Sequence, residues 1–375
     1  MRTQRRPTVS LSQLHNYFME DHSMNHSRVY KLRLLPPSSE NPRNSEGSFV
    51  QLWDGSLFFA YSHFYGGAHD NSTARIAGRF SYDGGRTWTE NDVLVVDNEG
   101  SENVMSVSFL RLHSGPIALF YAIKNSWGDC KLYMRTSDNE AQTWSEKVCT
   151  IPHEGYHVIN NDRVVQLSSG RLVVPAAYHP CPDGTRESWS HRGISACALS
   201  DDEGQTWRMS RTWLEAPQES KSGLQEPGVV ELNDGSLMML MRTDMGCQFR
   251  SYSHDGGDTW SPAESTDILS PTSPASVKRI PSTGDLLLVW NDHTHVGPEF
   301  REKRTPLTTA ISKDEGRTWK HVKVLEDDPD GWYCYTAITF VNDAVVLGYC
   351  AGNPRIGGLN LLQITVVDMD WLYEA

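Results

Sequence analysis

One eight-residue pattern recurs five times along the chain and constrains its fold more than any other feature. It reads SYDGGRTW at Ser81–Trp88, SDDEGQTW at Ser200–Trp207, SHDGGDTW at Ser253–Trp260, SKDEGRTW at Ser312–Trp319 and, in degenerate form, SDNEAQTW at Ser137–Trp144. Successive tryptophans fall 56, 63, 53 and 59 residues apart. A pattern returning at that period marks one supersecondary unit stacked many times, and such an array escapes the size limit of a single core. The residue types fit a turn. The Asp side chain can accept from backbone N–H groups two residues on, Gly supplies a positive φ, and Trp buries a large face between sheets. The repeat is therefore structural and carries no chemistry of its own.

A second periodicity gives the same count. Apolar runs flank two-residue turns at Asp54–Gly55, Ser114–Gly115, Ser169–Gly170, Asp234–Gly235, Thr283–Gly284 and Asn342–Asp343, which reads as six hairpins. Five of them are followed by one of the eight-residue boxes, itself preceded by a strand such as ARIAGRFS, so each unit reads as four strands. Six such units predict an all-β fold, a six-bladed β-propeller of four-stranded blades. An early strand, RVYKLRLLP, and the final LNLLQITVVDM are left over and together complete one blade. Residues 1–27 read as an N-terminal extension and 28–375 as a single propeller domain.

Composition narrows the partners. No stretch approaches the ~20 apolar residues of a membrane helix, and the first residues lack the apolar core of a signal peptide. Seven cysteines with no C-x-x-C pair argue against a disulfide framework and a zinc site, and predict a reducing, cytoplasmic setting. A formal charge of -13 disfavours nucleic acid, so an anionic ligand has to be met by locally clustered arginines. No metal or other cofactor is expected, no membrane contact is read, and the oligomeric state is open.

Polar residues interrupt the apolar strands at few places. In QEPGVVELNDGSLMMLMR, Glu226 opens an innermost strand and Arg242 closes the next, so an antiparallel hairpin returns both to one rim. Five copies of S-x-D-x-G-x-T-W on six predicted blades resemble the Asp boxes of the sialidase (neuraminidase) superfamily, over roughly residues 28–370. That resemblance implies a retaining exo-glycosidase acting on a small-molecule or glycan substrate with a carboxylate. Glu226 resembles the glutamate that activates the nucleophile, and Arg242 the second arginine of a carboxylate-binding triad. Tyr335, in CYTAITFVNDAVVLGY, resembles the nucleophilic tyrosine, with Tyr333 as its rival. A neutral phenol suits an anomeric carbon that bears a carboxylate, because an anionic nucleophile would be repelled. Arg304 resembles the third arginine, with Arg301 and Lys303 close by. Asp70, in the glycine-flanked loop FYGGAHDNSTAR, resembles the acid/base, a role His69 could share.

Two departures bear on the substrate. The family's R-I-P tripeptide is replaced by NPRNSEGSFVQLWDG, where Arg43 stands as the first triad arginine and Glu46 is interposed, either to pair with it or to contact the sugar. In the second unit ENVMSVSFL stands where the family often has Asp-Pro, and Asn103 or Ser106 takes that place. The third unit offers His157, Asn161, Arg163 and His179 as further substrate contacts. The alternatives are the same fold acting on another acidic sugar, a 2-keto-3-deoxy sugar acid or a uronate, or a glycan-binding propeller without catalysis.

Overall fold

A computed structural model describes residues 28–374; the expected extension, residues 1–27, lies outside them. The described chain is almost entirely β, with one short 3-10 turn at Pro298–Phe300 and a five-residue helix at Met369–Tyr373. Its strands run in antiparallel hairpins, repeated six times. In the first unit Arg43–Gln51, Leu57–Phe64, Ala74–Ser81 and Val93–Val96 pair in sequence order, and the fourth and fifth units form four-stranded sheets of the same order. The second and third units share one sheet because Tyr156 bridges in parallel to Cys130. The last sheet joins Trp332–Val341, Ala344–Gly352 and Leu362–Asp368 to the early strand Val29–Leu35, so the leftover N-terminal strand completes the final unit.

The hairpin turns differ in detail from the two-residue turns expected. At Gly55, Gly115, Gly170 and Gly235 a three-residue loop closes, with the glycine N–H returning to the carbonyl three residues back. Each glycine has φ between 82 and 117°, where a Cβ would be strained. The Gly284 loop is one residue longer, and only Asn342–Asp343 is a two-residue turn, between paired Val341 and Ala344.

The boxes hold the units together. Asp255 accepts from Ser253 Oγ at 2.9 Å, Thr259 N at 2.8 Å, Asp258 N at 3.1 Å and Thr259 Oγ1 at 2.6 Å, while Trp260 Nε1 donates to Gly257 O at 2.9 Å. The Asp therefore reaches N–H groups three and four residues on, a wider turn than the sequence suggested. Each box tryptophan packs into the apolar cluster shared with the preceding unit: Trp88 between units six and one, Trp144 between one and two, Trp207 between two and three, Trp260 between three and four, Trp319 between four and five. The sixth unit has no box, and the cluster between units five and six is covered instead by Leu372 and Trp371 of the C-terminal helix. The hydrophobic effect thus acts at six seams rather than in one central core.

Candidate active site

The first strands of four units share one device. The register slips between Ser45 and Ser48, Met105 and Ser108, Gln225 and Gly228, and Cys334 and Ala337. The first residue inside each bulge has a left-handed backbone, Glu46 at φ 55°, Ser106 at 59°, Glu226 at 46° and Tyr335 at 59°. A bulge inserts one residue and re-aims its side chain. Holding a non-glycine residue in that region costs on the order of 1–3 kcal/mol, and such strain clusters at functional sites. All four side chains line one cleft of about 790 Å³, together with Arg43, Asp70, Arg242, Arg304 and His179.

On one side of the cleft Tyr335 OH donates to Glu226 Oε1 at 3.0 Å, and Arg242 Nη1 donates to Glu226 Oε2 at 2.5 Å. The Arg304 guanidinium lies 5.3 Å from the centre of the Tyr335 ring and an equal distance from that of Trp332. Burial disfavours the Glu226 charge, but Arg242 and Arg304 outweigh it and hold the carboxyl below its ordinary range. Burial and the Glu226 charge push the Tyr335 phenol up, against the pull of the two arginines. The result is a carboxylate positioned to take the proton of a buried phenol.

On the other side Arg43 is 2% exposed and nearly saturated. Its Nε donates to Ser45 Oγ at 3.0 Å, Nη1 to Asp70 Oδ1 at 2.5 Å and to Ala68 O at 3.4 Å, and Nη2 to Glu46 Oε2 at 3.3 Å. Ser106 Oγ donates to Glu46 Oε1 at 3.3 Å. Burial pushes the Glu46 carboxyl up to about 7, opposed by Arg43 and reinforced by the charges of Asp70 and Glu226. The Asp70 side chain is 64% exposed, so desolvation by its neighbours opposes its charge only in part, and Arg43 and Lys124 hold the carboxyl low.

Other expected contacts sit off the cleft lining. Asn103 donates to Asp70 O at 2.8 Å and Ser72 O at 3.0 Å, tying the Asp70 loop to the second unit. Asn161 is buried and donates to Gly47 O at 2.6 Å and Tyr335 O at 3.0 Å, bridging two bulges from beneath. Arg163 lines a separate cavity of about 240 Å³ with Asp162 and Lys278. His157 and His179 do line the cleft, and burial lowers their pKa to about 3 and about 4, so both are neutral imidazoles near pH 7. Tyr333 packs into the cluster between units five and six, leaving Tyr335 as the tyrosine of that strand on the cleft. Lys303 faces a neighbouring pocket and Arg301 is exposed.

Sequence reasoning missed Lys124 and an aromatic wall. Lys124 is 1% exposed; its ammonium donates to Asn71 Oδ1 at 3.1 Å and Asp70 O at 3.4 Å, and lies 4.8 Å from the centre of the Trp127 ring. Trp127 stacks on Tyr156, and Trp189 stacks on His179 at 4.6 Å. The signal was present in IALFYAIKNSW, where Lys124 breaks the apolar run near the end of the strand Ile117–Ser126, much as Arg242 closes Leu237–Arg242. Among the described residues no cluster of His, Cys, Asp and Glu could hold a metal ion.

Comparison with known proteins bears on the family and the fold. Residues 55–347 match the BNR repeat-like domain. A sialidase from Paraclostridium sordellii is 29% identical over 238 residues, covering 57% of this chain and 56% of the relative, and one from Clostridium perfringens is 27% identical over 237 residues, covering 56% and 59%. The chain thus spans somewhat over half the length of these relatives. The structure of NanB sialidase from Streptococcus pneumoniae superposes with a TM-score of 0.69 at 16% identity, covering 90% of this chain and 70% of that one, which is a likeness of fold. With its repeats matched across residues 55–347, the chain belongs to the BNR repeat-like family of the sialidase superfamily.

Proposed function

We propose that the protein is a sialidase-type glycoside hydrolase that removes a terminal carboxylate-bearing sugar with retention of configuration. The observation that carries this reading is the 3.0 Å hydrogen bond from Tyr335 OH to Glu226 Oε1, flanked by Arg242 and Arg304. In this reading Arg242 and Arg304 hold the sugar carboxylate by charge-assisted, bidentate hydrogen bonds. Glu226 takes the phenol proton while Tyr335 attacks the anomeric carbon, and Asp70 gives a proton to the departing oxygen. Water then attacks the tyrosyl-linked sugar, Asp70 takes its proton, and the phenolate recovers its own from Glu226. Two displacements at one carbon restore the starting configuration. Asp70 has to gain its proton on substrate binding, because Arg43 holds its carboxyl low in the free site.

The six units form, in this proposal, a closed six-bladed propeller with the cleft at one end of its axis. Support comes from the six seams, which run from units one and two round to units six and one. Turnover of a fluorogenic sialoside tests the function. Release of fluorophore that Tyr335→Phe and Arg304→Ala each abolish is the expected result; a protein silent toward every acidic glycoside that still binds sugar would be a glycan-binding protein instead.

A further inference from the structure

Glu46 has no place in that mechanism, yet it is built into the cleft by the same device as the two residues at its centre. Its backbone sits at φ 55° in a strand bulge, as do those of Glu226 and Tyr335, and its side chain faces the same cleft. The pairing is also repeated. In the fourth and sixth units a hydroxyl, that of Tyr335, donates to a carboxylate, Glu226; in the first and second units the Ser106 hydroxyl donates to Glu46 Oε1.

Counting donors shows what Glu46 does to its neighbour. A guanidinium has five N–H groups. At Arg43 four of them are engaged, by Ser45, Ala68, Asp70 and Glu46, and Phe64 covers the group at 4.4 Å. One N–H is left, and an incoming carboxylate needs two for the fork geometry that makes such contacts strong. Arg304, by contrast, has no carboxylate within ion-pair distance among the described residues.

Resting on the carboxylate-sugar reading above, we propose that Glu46 is the specificity-determining residue of this cleft: it occupies Arg43, leaves the sugar carboxylate to Arg242 and Arg304, and with Ser106 receives a hydroxyl group of the sugar. A substrate for such a site carries a hydroxyl where a three-arginine site would place a carboxylate oxygen. The ligand class is a hydroxyl-bearing sugar acid held by two guanidiniums. Burial raises the Glu46 carboxyl to about 7, so at pH 8 it is charged and its hold on Arg43 is full.

The test is calorimetric binding of free N-acetylneuraminate, and of glucuronate as a sugar acid of another class, at pH 8 to the wild type, Glu46→Gln, Ser106→Ala and Arg304→Ala. The Gln variant keeps a hydrogen-bonding edge and drops the charge that holds Arg43. For whichever acid the wild type binds, Glu46→Gln is expected to tighten binding at least threefold, Ser106→Ala to weaken it at least threefold, and Arg304→Ala to weaken it at least tenfold. If Arg304→Ala weakens binding while Glu46→Gln leaves it within twofold or weakens it, the role of Glu46 is overturned and the carboxylate clamp stands. Should Arg304→Ala have no effect, or the wild type bind neither acid, the clamp itself falls and this inference with it.

Discussion

Tyr335 and Glu226 are 109 residues apart in sequence, stand at the same left-handed position of two strand bulges, and meet at 3.0 Å. The contact is a matched pair of re-aimed side chains, each held by an antiparallel ladder on both sides of its bulge. Tyr335→Phe keeps the ring against Arg304 and removes only the hydroxyl. In the proposed mechanism that hydroxyl is the nucleophile, and its loss is expected to lower kcat for an acidic glycoside by roughly three or more orders of magnitude. Loss of one hydrogen bond costs stability only about 1 kcal/mol. Steady-state kinetics beside a thermal melt check both; a variant within tenfold of wild-type kcat would take Tyr335 out of the chemistry.

Asp70 sits on a loop whose anchor belongs to the next unit. Lys124 and Asn103 grip its backbone from the second unit, and Asn71 bonds Glu102 at 2.8 Å. Lys124→Met removes the charge and a hydrogen-bond donor while retaining most of the buried stem. The expected effect is a fall in kcat of about tenfold, in line with a small misplacement of the proposed proton donor, Asp70, with KM changed less than threefold. Because Lys124 also helps hold the Asp70 carboxyl low, the limb of the kcat/KM profile that reports Asp70 is expected to move to higher pH. A uniform loss of activity at every pH, with an unmoved profile, would make Lys124 merely structural.

The boxes made the repeat legible because their spacing is independent of what lies between them, and aligning units by their turns put Glu226 and Tyr335 at matching positions. That comparison has a physical reason to work: the distance from bulge to turn is fixed by the ladder. What it could not supply is the bulge itself, because Glu, Ser and Tyr carry no sequence mark of a left-handed backbone as glycine does. Nor could it supply the Arg43–Asp70 pair, which joins a strand to a loop 27 residues on. The third unit was hardest. Its first strand is broken into Tyr156–Val158 and Val165–Gln166, so Asn161 and Arg163 fall in the gap and turn under the bulges rather than onto the cleft.

Glu46 offers a stability measurement that needs no substrate. Its folded pKa of about 7 lies above the 4.5 of an exposed glutamate, so the native state binds the proton more tightly than the unfolded chain. Stability from this group is therefore full below about pH 4.5, falls as pH rises to about 7, and is flat above. A raised pKa of this size corresponds to on the order of 3 kcal/mol. Glu46→Gln cannot titrate, so its stability relative to wild type should rise between pH 5 and pH 8 by a large part of that amount. Urea unfolding at the two pH values reads the difference. An unchanged difference would mean that Glu46 keeps its ordinary pKa and is solvated in the folded state.

The boxes predict the opposite sign. Partial burial disfavours the Asp255 charge, but the bonds from Thr259 and Ser253 outweigh it and depress the carboxyl to about 2, so its stabilisation is present above about pH 3.8 and lost as pH falls through about 2. The degenerate second box shows that an amide fits: Asn139 accepts from Ser137 Oγ at 3.0 Å and Thr143 N at 2.9 Å, and its Nδ2 donates to Thr143 Oγ1, reversing the direction of that bond. Asp255→Asn should therefore fold. The side chain is 36% exposed, so solvent screening discounts the full linkage value, and the expected cost at pH 7 is about 1 kcal/mol. That cost should shrink toward zero near pH 2, with kcat unchanged because the box touches no residue of the cleft. A constant cost across that range would show that packing at the Trp260 seam, rather than the charge of Asp255, carries the contribution of the box.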